Sequence, residues 1–95
     1  TDEYQAWISE LKDRAGRSRV LMRVDRLIHG NPGQYRNLTE GVSELKIDAG
    51  PGYRVYYSFR GDKLLLLLAG GNKATQNKDI DKALELNRFF REFPQ

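Results

Sequence analysis

Apolar positions along this chain recur first with the period of a helix, then with that of a strand, then with that of a helix again. Tyr4, Trp7, Ile8 and Leu11 fall at helical spacing, and Thr1 or Asp2 can cap the start. A break at Ala15-Gly16 is expected to lead into a second periodic segment, with Val20, Val24, Leu27 and Ile28 apolar. Gly30 ends it, and Asn31-Pro32-Gly33 supplies the turn that follows. These segments predict two antiparallel helices. Residues 34–38 read as a short strand or an extended lead-in. In residues 42–49, Leu45, Ile47 and Ala49 point one way, while Glu44, Lys46 and Asp48 point the other. After a Gly50-Pro51-Gly52 turn, Tyr53, Val55, Tyr57 and Phe59 share one face, with Arg54, Tyr56, Ser58 and Arg60 on the opposite one. A tight hairpin turn at Gly61-Asp62 leads into residues 63–69. The leucines at 64–68 do not alternate, which predicts a strand covered on both faces. From Asn77 onward Ile80, Ala83, Leu84 and Phe90 keep one helical stripe, with Leu86, Phe89 and Phe93 beside it, and Pro94 closes the chain.

The order helix, helix, three or four antiparallel strands, helix predicts an α+β fold in a single domain spanning 1–95. An edge of such a sheet would gain from one more strand, expected before Thr1, or from a partner that covers it.

Composition narrows the class. The chain has 95 residues, 39% of them hydrophobic, enough for one modest core. It has no run long enough to span a bilayer and no signal-peptide pattern, so a soluble, cytoplasmic protein is expected. With no cysteine, disulfides, thiolate catalysis and cysteine-bound zinc are excluded. A single histidine, His29, leaves no histidine-built metal site or catalytic triad, and neither a metal nor a cofactor is expected. His29 is read as a helix C-cap. Net charge is only +3, but five arginines (14, 17, 19, 23 and 26) stand against one acid, Asp25, in the second helix. They form either a solvated face or a surface for a polyanion or an acidic partner.

Paired antiparallel, the two central strands would place Lys46, Arg54 and Tyr56 on one solvent-facing surface. Arginine offers a phosphate a bidentate fork, lysine a point charge, and tyrosine a ring on which a base can stack. The alternatives are a cross-strand salt bridge from Glu44 or Asp48 to Arg54, and a Tyr56 that packs under a helix. Lys73 stands in the Gly70-Gly71-Asn72-Lys73-Ala74-Thr75-Gln76 segment. There two glycines permit close approach of a ligand or a sharp turn, and helix-entry amides can hold an anion. The P-loop spacing is absent, and a plain strand-to-helix turn is the preferred reading of the segment.

Three blocks carry a family resemblance: Glu44-Leu45-Lys46-Ile47-Asp48, then Gly50-Pro51-Gly52-Tyr53-Arg54-Val55-Tyr56-Tyr57, then Gly70-Gly71-Asn72-Lys73-Ala74-Thr75-Gln76-Asn77-Lys78-Asp79-Ile80. In this order the chain resembles the HigB-like, phage Gp49-related "addiction module killer" branch of the RelE/ParE toxin superfamily. The resemblance implies an α+β fold, with an N-terminal helical hairpin on a sheet of about four strands and a C-terminal helix. It also implies a first strand before residue 1. It implies a type II toxin–antitoxin toxin, neutralised by a helix-turn-helix antitoxin. The toxin would be a metal-independent endoribonuclease acting on mRNA at the ribosome or, in the ParE manner, an inhibitor of DNA gyrase; an inactive antitoxin-binding relic is a third reading. By position, Arg54 would hold the scissile phosphate, with Lys46 and Lys73 as further catalytic cations. Tyr56, Gln76 and the arginines Arg19, Arg23 and Arg26 would bind RNA. Relatives often carry a late tyrosine or histidine as acid or base. This chain has neither after Tyr57, which leaves Tyr56, Lys46 or Asp79 as candidates.

Overall fold

A computed structural model describes residues 1–61 and 64–93. Helices α1 (Asp2–Glu10) and α2 (Arg14–Ile28) lead into four strands, β1 (Tyr35–Asn37), β2 (Ser43–Ile47), β3 (Tyr53–Arg60) and β4 (Leu64–Asn72). A 3-10 turn over Lys73–Thr75 then enters α3 (Gln76–Glu92). The sheet runs β1-β2-β3-β4 in antiparallel order, so the expected α+β architecture is present. The expected Asp62 half of the hairpin turn and the closing Pro94 lie outside the described residues; Gly61 takes φ 64°. No helix among the described residues is long and apolar enough to cross a membrane.

Local chemistry fixes the boundaries. The Thr1 hydroxyl accepts from the Tyr4 amide and caps α1, while the same oxygen donates to the Leu68 carbonyl and ties the helix start to β4. The break between the helices falls at Leu11–Asp13, not at Ala15-Gly16. Asp13 caps α2 by accepting from the Gly16 amide, and its second oxygen accepts from the Tyr53 hydroxyl at 2.8 Å. A capping carboxylate is a stronger start signal than glycine is a stop. Gly16 stays inside the helix because a Cβ there would run into the Tyr53 ring and Asp13. At the far end, His29 is the C-cap of α2, its ring on the Asp25 carbonyl, as expected.

Both faces of the sheet are covered, each by its own core. Tyr4, Ile8, Val20, Val24 and Leu27 from α1 and α2 meet Leu45, Ile47, Tyr53, Val55 and Tyr57. On the opposite face α3 brings Ala83, Ile80 and Leu84 onto Val42, Tyr56, Leu68 and Ala69. The leucine strand serves both cores, as its unbroken apolar run predicts. A register shift opposite Tyr56/Tyr57 leaves Leu68 without a cross-strand partner, and Leu68 and Ala69 both belong to the α3-side core.

Strand β4 also runs further than expected, through the glycine pair, because Gly70 and Gly71 pair with Val55 and Arg54. A Cβ on Gly70 would overlap the Trp7 ring, and one on Gly71 the Asp79 carboxylate. The two glycines therefore let a helix close onto each face of the strand.

Candidate functional site

The side of the sheet that carries Glu44, Lys46, Arg54 and Tyr56 is not a solvent-facing plane. Helix α3 covers its middle and leaves an open cleft of about 420 Å³ toward β1. The register sets Lys46 opposite Arg54 and Glu44 opposite Tyr56. Lys46, Arg54 and Gln76 line this cleft together. Lys73 is not among the cleft's lining residues; its Cβ and Arg54 Nη1 both lie close to Gly52.

Arg54 is 5% exposed, so its guanidinium is held at the cleft wall by its surroundings. Its Nη1 donates to the Gly52 carbonyl at 2.9 Å, which the tight Gly50-Pro51-Gly52 turn delivers. Its Nε finds no hydrogen-bond partner and lies 3.7 Å from Glu44 Oε2. The cross-strand pair weighed from sequence is present, yet it leaves a buried donor free, which is unusual in a folded interior.

Glu44 is the residue that sequence reasoning undervalued. It is 2% exposed, and it is the sole carboxylate among the side chains lining the cleft. Arg36 Nε donates to Oε1 at 2.8 Å, and Gln76 Nε2 donates to Oε2 at 2.9 Å. Burial opposes its ionisation. The bonds from Arg36 and Gln76, the nearby Tyr56 hydroxyl and the Arg36 charge outweigh that and hold its carboxyl below the usual range. Arg36 was missed as well. It comes from β1, whose weak pattern gave no reason to place a cation beside Glu44, although the two are cross-strand partners in register.

Two expectations need correction, and one less favoured alternative falls away. Tyr56 is fully buried under α3, so its ring cannot stack on a base. Its hydroxyl lies beside Glu44 without completing a hydrogen bond; burial, then the Glu44 charge, pushes its pKa far above the tyrosine range and removes it as a base. Arg23 is only partly exposed, and its guanidinium is engaged. Its Nη1 donates to the Lys46 carbonyl at 2.8 Å, and its Nη2 to the Pro32 and Gln34 carbonyls at 2.9 and 3.1 Å. Three backbone carbonyls, from the Pro32–Gln34 segment and from β2, hold this cation, while Arg19 and Arg26 remain exposed. Finally, the amides after the glycine pair are not open to an anion, because Asn72 Oδ1 accepts from Ala74 and Thr75 at 2.9 and 3.2 Å. Asp79 accepts from the Thr75 hydroxyl, and burial raises its pKa.

Residues 6–88 match the family described as "Phage derived protein Gp49-like", and the chain belongs to that family of RelE-like toxins of toxin–antitoxin systems. Membership implies an antitoxin partner. The chain is also 41% identical over 80 residues to an uncharacterized protein of Haemophilus influenzae, covering 84% of this chain and 81% of that one. No solved structure matches.

Proposed function

We propose that this toxin is an endoribonuclease that cleaves mRNA without a metal, with the cleft between β1 and α3 as its active site. The observation that carries the reading is that Arg54, Lys46 and Gln76 line one open cleft beside the buried carboxylate of Glu44. A phosphate placed there would accept from the guanidinium and meet the lysine charge. In the reaction the ribose 2′-oxygen attacks phosphorus in line, the bond to the 5′-oxygen breaks, and a cyclic phosphate and a 5′-hydroxyl form. Arg54, Lys46 and Lys73 stabilise the pentacoordinate phosphorane and the departing oxygen, which takes its proton from solvent.

Glu44 is our candidate to receive the 2′-hydroxyl proton. Held by Arg36 it is a weak base. Arg36 has a side chain 57% exposed and can turn from Glu44 to an incoming phosphate. That exchange frees Oε1 and raises its basicity where the proton is released.

The test is to express the chain, map mRNA ends by primer extension, and assay the purified protein on free mRNA with a chelator present and on translated mRNA without one. Cleavage that survives chelation and leaves cyclic phosphate ends is expected. Intact transcripts in growth-arrested cells, with gyrase supercoiling inhibited instead, would reject this reading in favour of a ParE-type inhibitor. Ribosome association belongs to the same proposal and is resolved by comparing translated with free mRNA.

A further inference from the structure

A second pocket, of about 300 Å³, opens on the other face of the sheet. Tyr35 and Asn37 of β1 line it with Ser43 of β2 and Phe59 of β3, and Leu27 and Pro32 close it from the α2 side. The register explains this group: Asn37, Ser43 and Tyr57 form one row across the sheet, with Tyr35 before it and Phe59 beyond it on the same face. Tyr35 is 47% and Phe59 53% exposed, while Tyr57 between them is buried. Two aromatic rings therefore stand open at opposite ends of a pocket that the main core does not fill.

The polar chemistry argues against a purely apolar occupant. Ser43 Oγ donates to Asn37 Oδ1 at 2.8 Å, which leaves the Asn37 amide hydrogens and the Ser43 lone pairs available. A planar ligand with donors and acceptors on its edge satisfies both groups and rings. The size, at the low end of the ~300–1,000 Å³ typical of ligand pockets, suits one heterocycle.

Position supplies the rest. The two pockets lie on either side of edge strand β1, and Tyr35 borders both. Arg23 bonds the Pro32 carbonyl on one side and those of Gln34 and Lys46 on the other, so the wall between them is braced. We infer that this pocket is a nucleobase subsite: single-stranded RNA crosses β1, with a phosphate in the cationic cleft and a neighbouring base against Tyr35 or Phe59. The choice of RNA as the polymer rests on the proposed function; the base subsite itself is tested without cleavage.

The probe is an uncleavable 2′-O-methyl hexanucleotide, compared with an abasic oligomer of the same length and charge. Tyr35→Leu and Phe59→Leu remove the ring but keep apolar bulk at half-exposed positions, so the variants fold, as circular dichroism checks. For at least one variant, affinity for the hexanucleotide should fall about 5- to 100-fold, the loss of one stacked base, while abasic binding stays unchanged. Unchanged hexanucleotide affinity in both variants overturns the inference and leaves the pocket to a protein side chain. Equal weakening of both oligomers, or a wild type that binds the two alike, overturns it too. If base-dependent binding holds but the wild type cleaves no RNA, the subsite stands and the nuclease reading falls.

Discussion

At the scale of single residues, Arg54 and Glu44 have to be tested as a pair, because each is the other's buried counter-charge. Truncating Arg54 to alanine would leave Glu44 less compensated, and a lost activity could then be a lost fold. Arg54→Lys keeps a cation beside Glu44 but removes the fork and the free Nε. It should lower RNA cleavage about 10²- to 10³-fold, the usual loss for one transition-state donor, with a melting curve close to wild type. Near-normal cleavage would remove Arg54 from the phosphate. Glu44 makes a separate prediction about acid. Its folded pKa lies below the unfolded value of 4.5, so the stability it contributes is complete above that pH and is lost as pH falls through the folded value. Asp13 and Glu40, also shifted down, act in the same direction. Glu44→Gln should therefore be less stable at pH 7, by about 3 kcal/mol, and should show a shallower loss of stability between pH 5 and pH 3. Urea midpoints across that range measure it; parallel wild-type and variant curves would show that Glu44 contributes nothing to the acid limb.

At the scale of elements, the sequence pattern carried far where period and chemistry agreed. The Tyr53–Arg60 strand has the bounds its alternation predicted, and the Gly50-Pro51-Gly52 turn stands where it was expected. Misreadings arose where one local signal stood for two physical causes. Alternation was taken to mean a wet face opposite a dry one. Here α3 covers the middle of the second face, and Ser58 is buried there with its bond met: it donates to Asn87 on α3 at 2.8 Å, and Asn87 reaches the Glu40 carbonyl. Periodicity does not show that a distant helix lies over a strand. The glycine-pair segment, by contrast, is the plain strand-to-helix turn preferred for it, and the close approaches the pair permits are those of Trp7 and Asp79, not of a ligand. Gly70→Ala should force the Trp7 ring from its place and destabilise the fold by about 1–3 kcal/mol. For a domain of this size each kcal/mol lowers Tm by about 4–8 °C, and the loss should be partly relieved in a Gly70→Ala/Trp7→Leu double variant. Strictly additive losses would separate the two sites.

At the scale of the whole molecule, charge sorts into cations that hold the fold and cations left for a polyanion, a division that a net charge of +3 conceals. Arg88 forms a two-pronged pair with Glu40, at 2.9 and 2.6 Å, and Arg23 is spent on three carbonyls. Arg19 and Arg26 are exposed, and their charges are close enough to lower the Arg23 pKa behind its burial. Their helix packs against the face of the sheet opposite the cationic cleft, so they can add affinity for rRNA phosphates without entering the chemistry. Arg23→Ala should cost stability, about 2 kcal/mol for hydrogen bonds from a charged donor, whereas Arg19→Glu with Arg26→Glu should stay within about 0.5 kcal/mol of wild type. Only the second variant should change how association depends on salt. Each phosphate contact contributes about −0.7 to the slope of log affinity against log salt for single strands, so the double reversal should flatten the ribosome-binding slope by one to two such contacts. Cleavage of free RNA in the cleft should be unaffected. Sedimentation with ribosomes over a salt series decides it: a slope equal to wild type would make Arg19 and Arg26 an ordinary solvated face, and the docking charge would have to be sought on the β1 side, where Arg36 and Lys46 are exposed cations at the cleft.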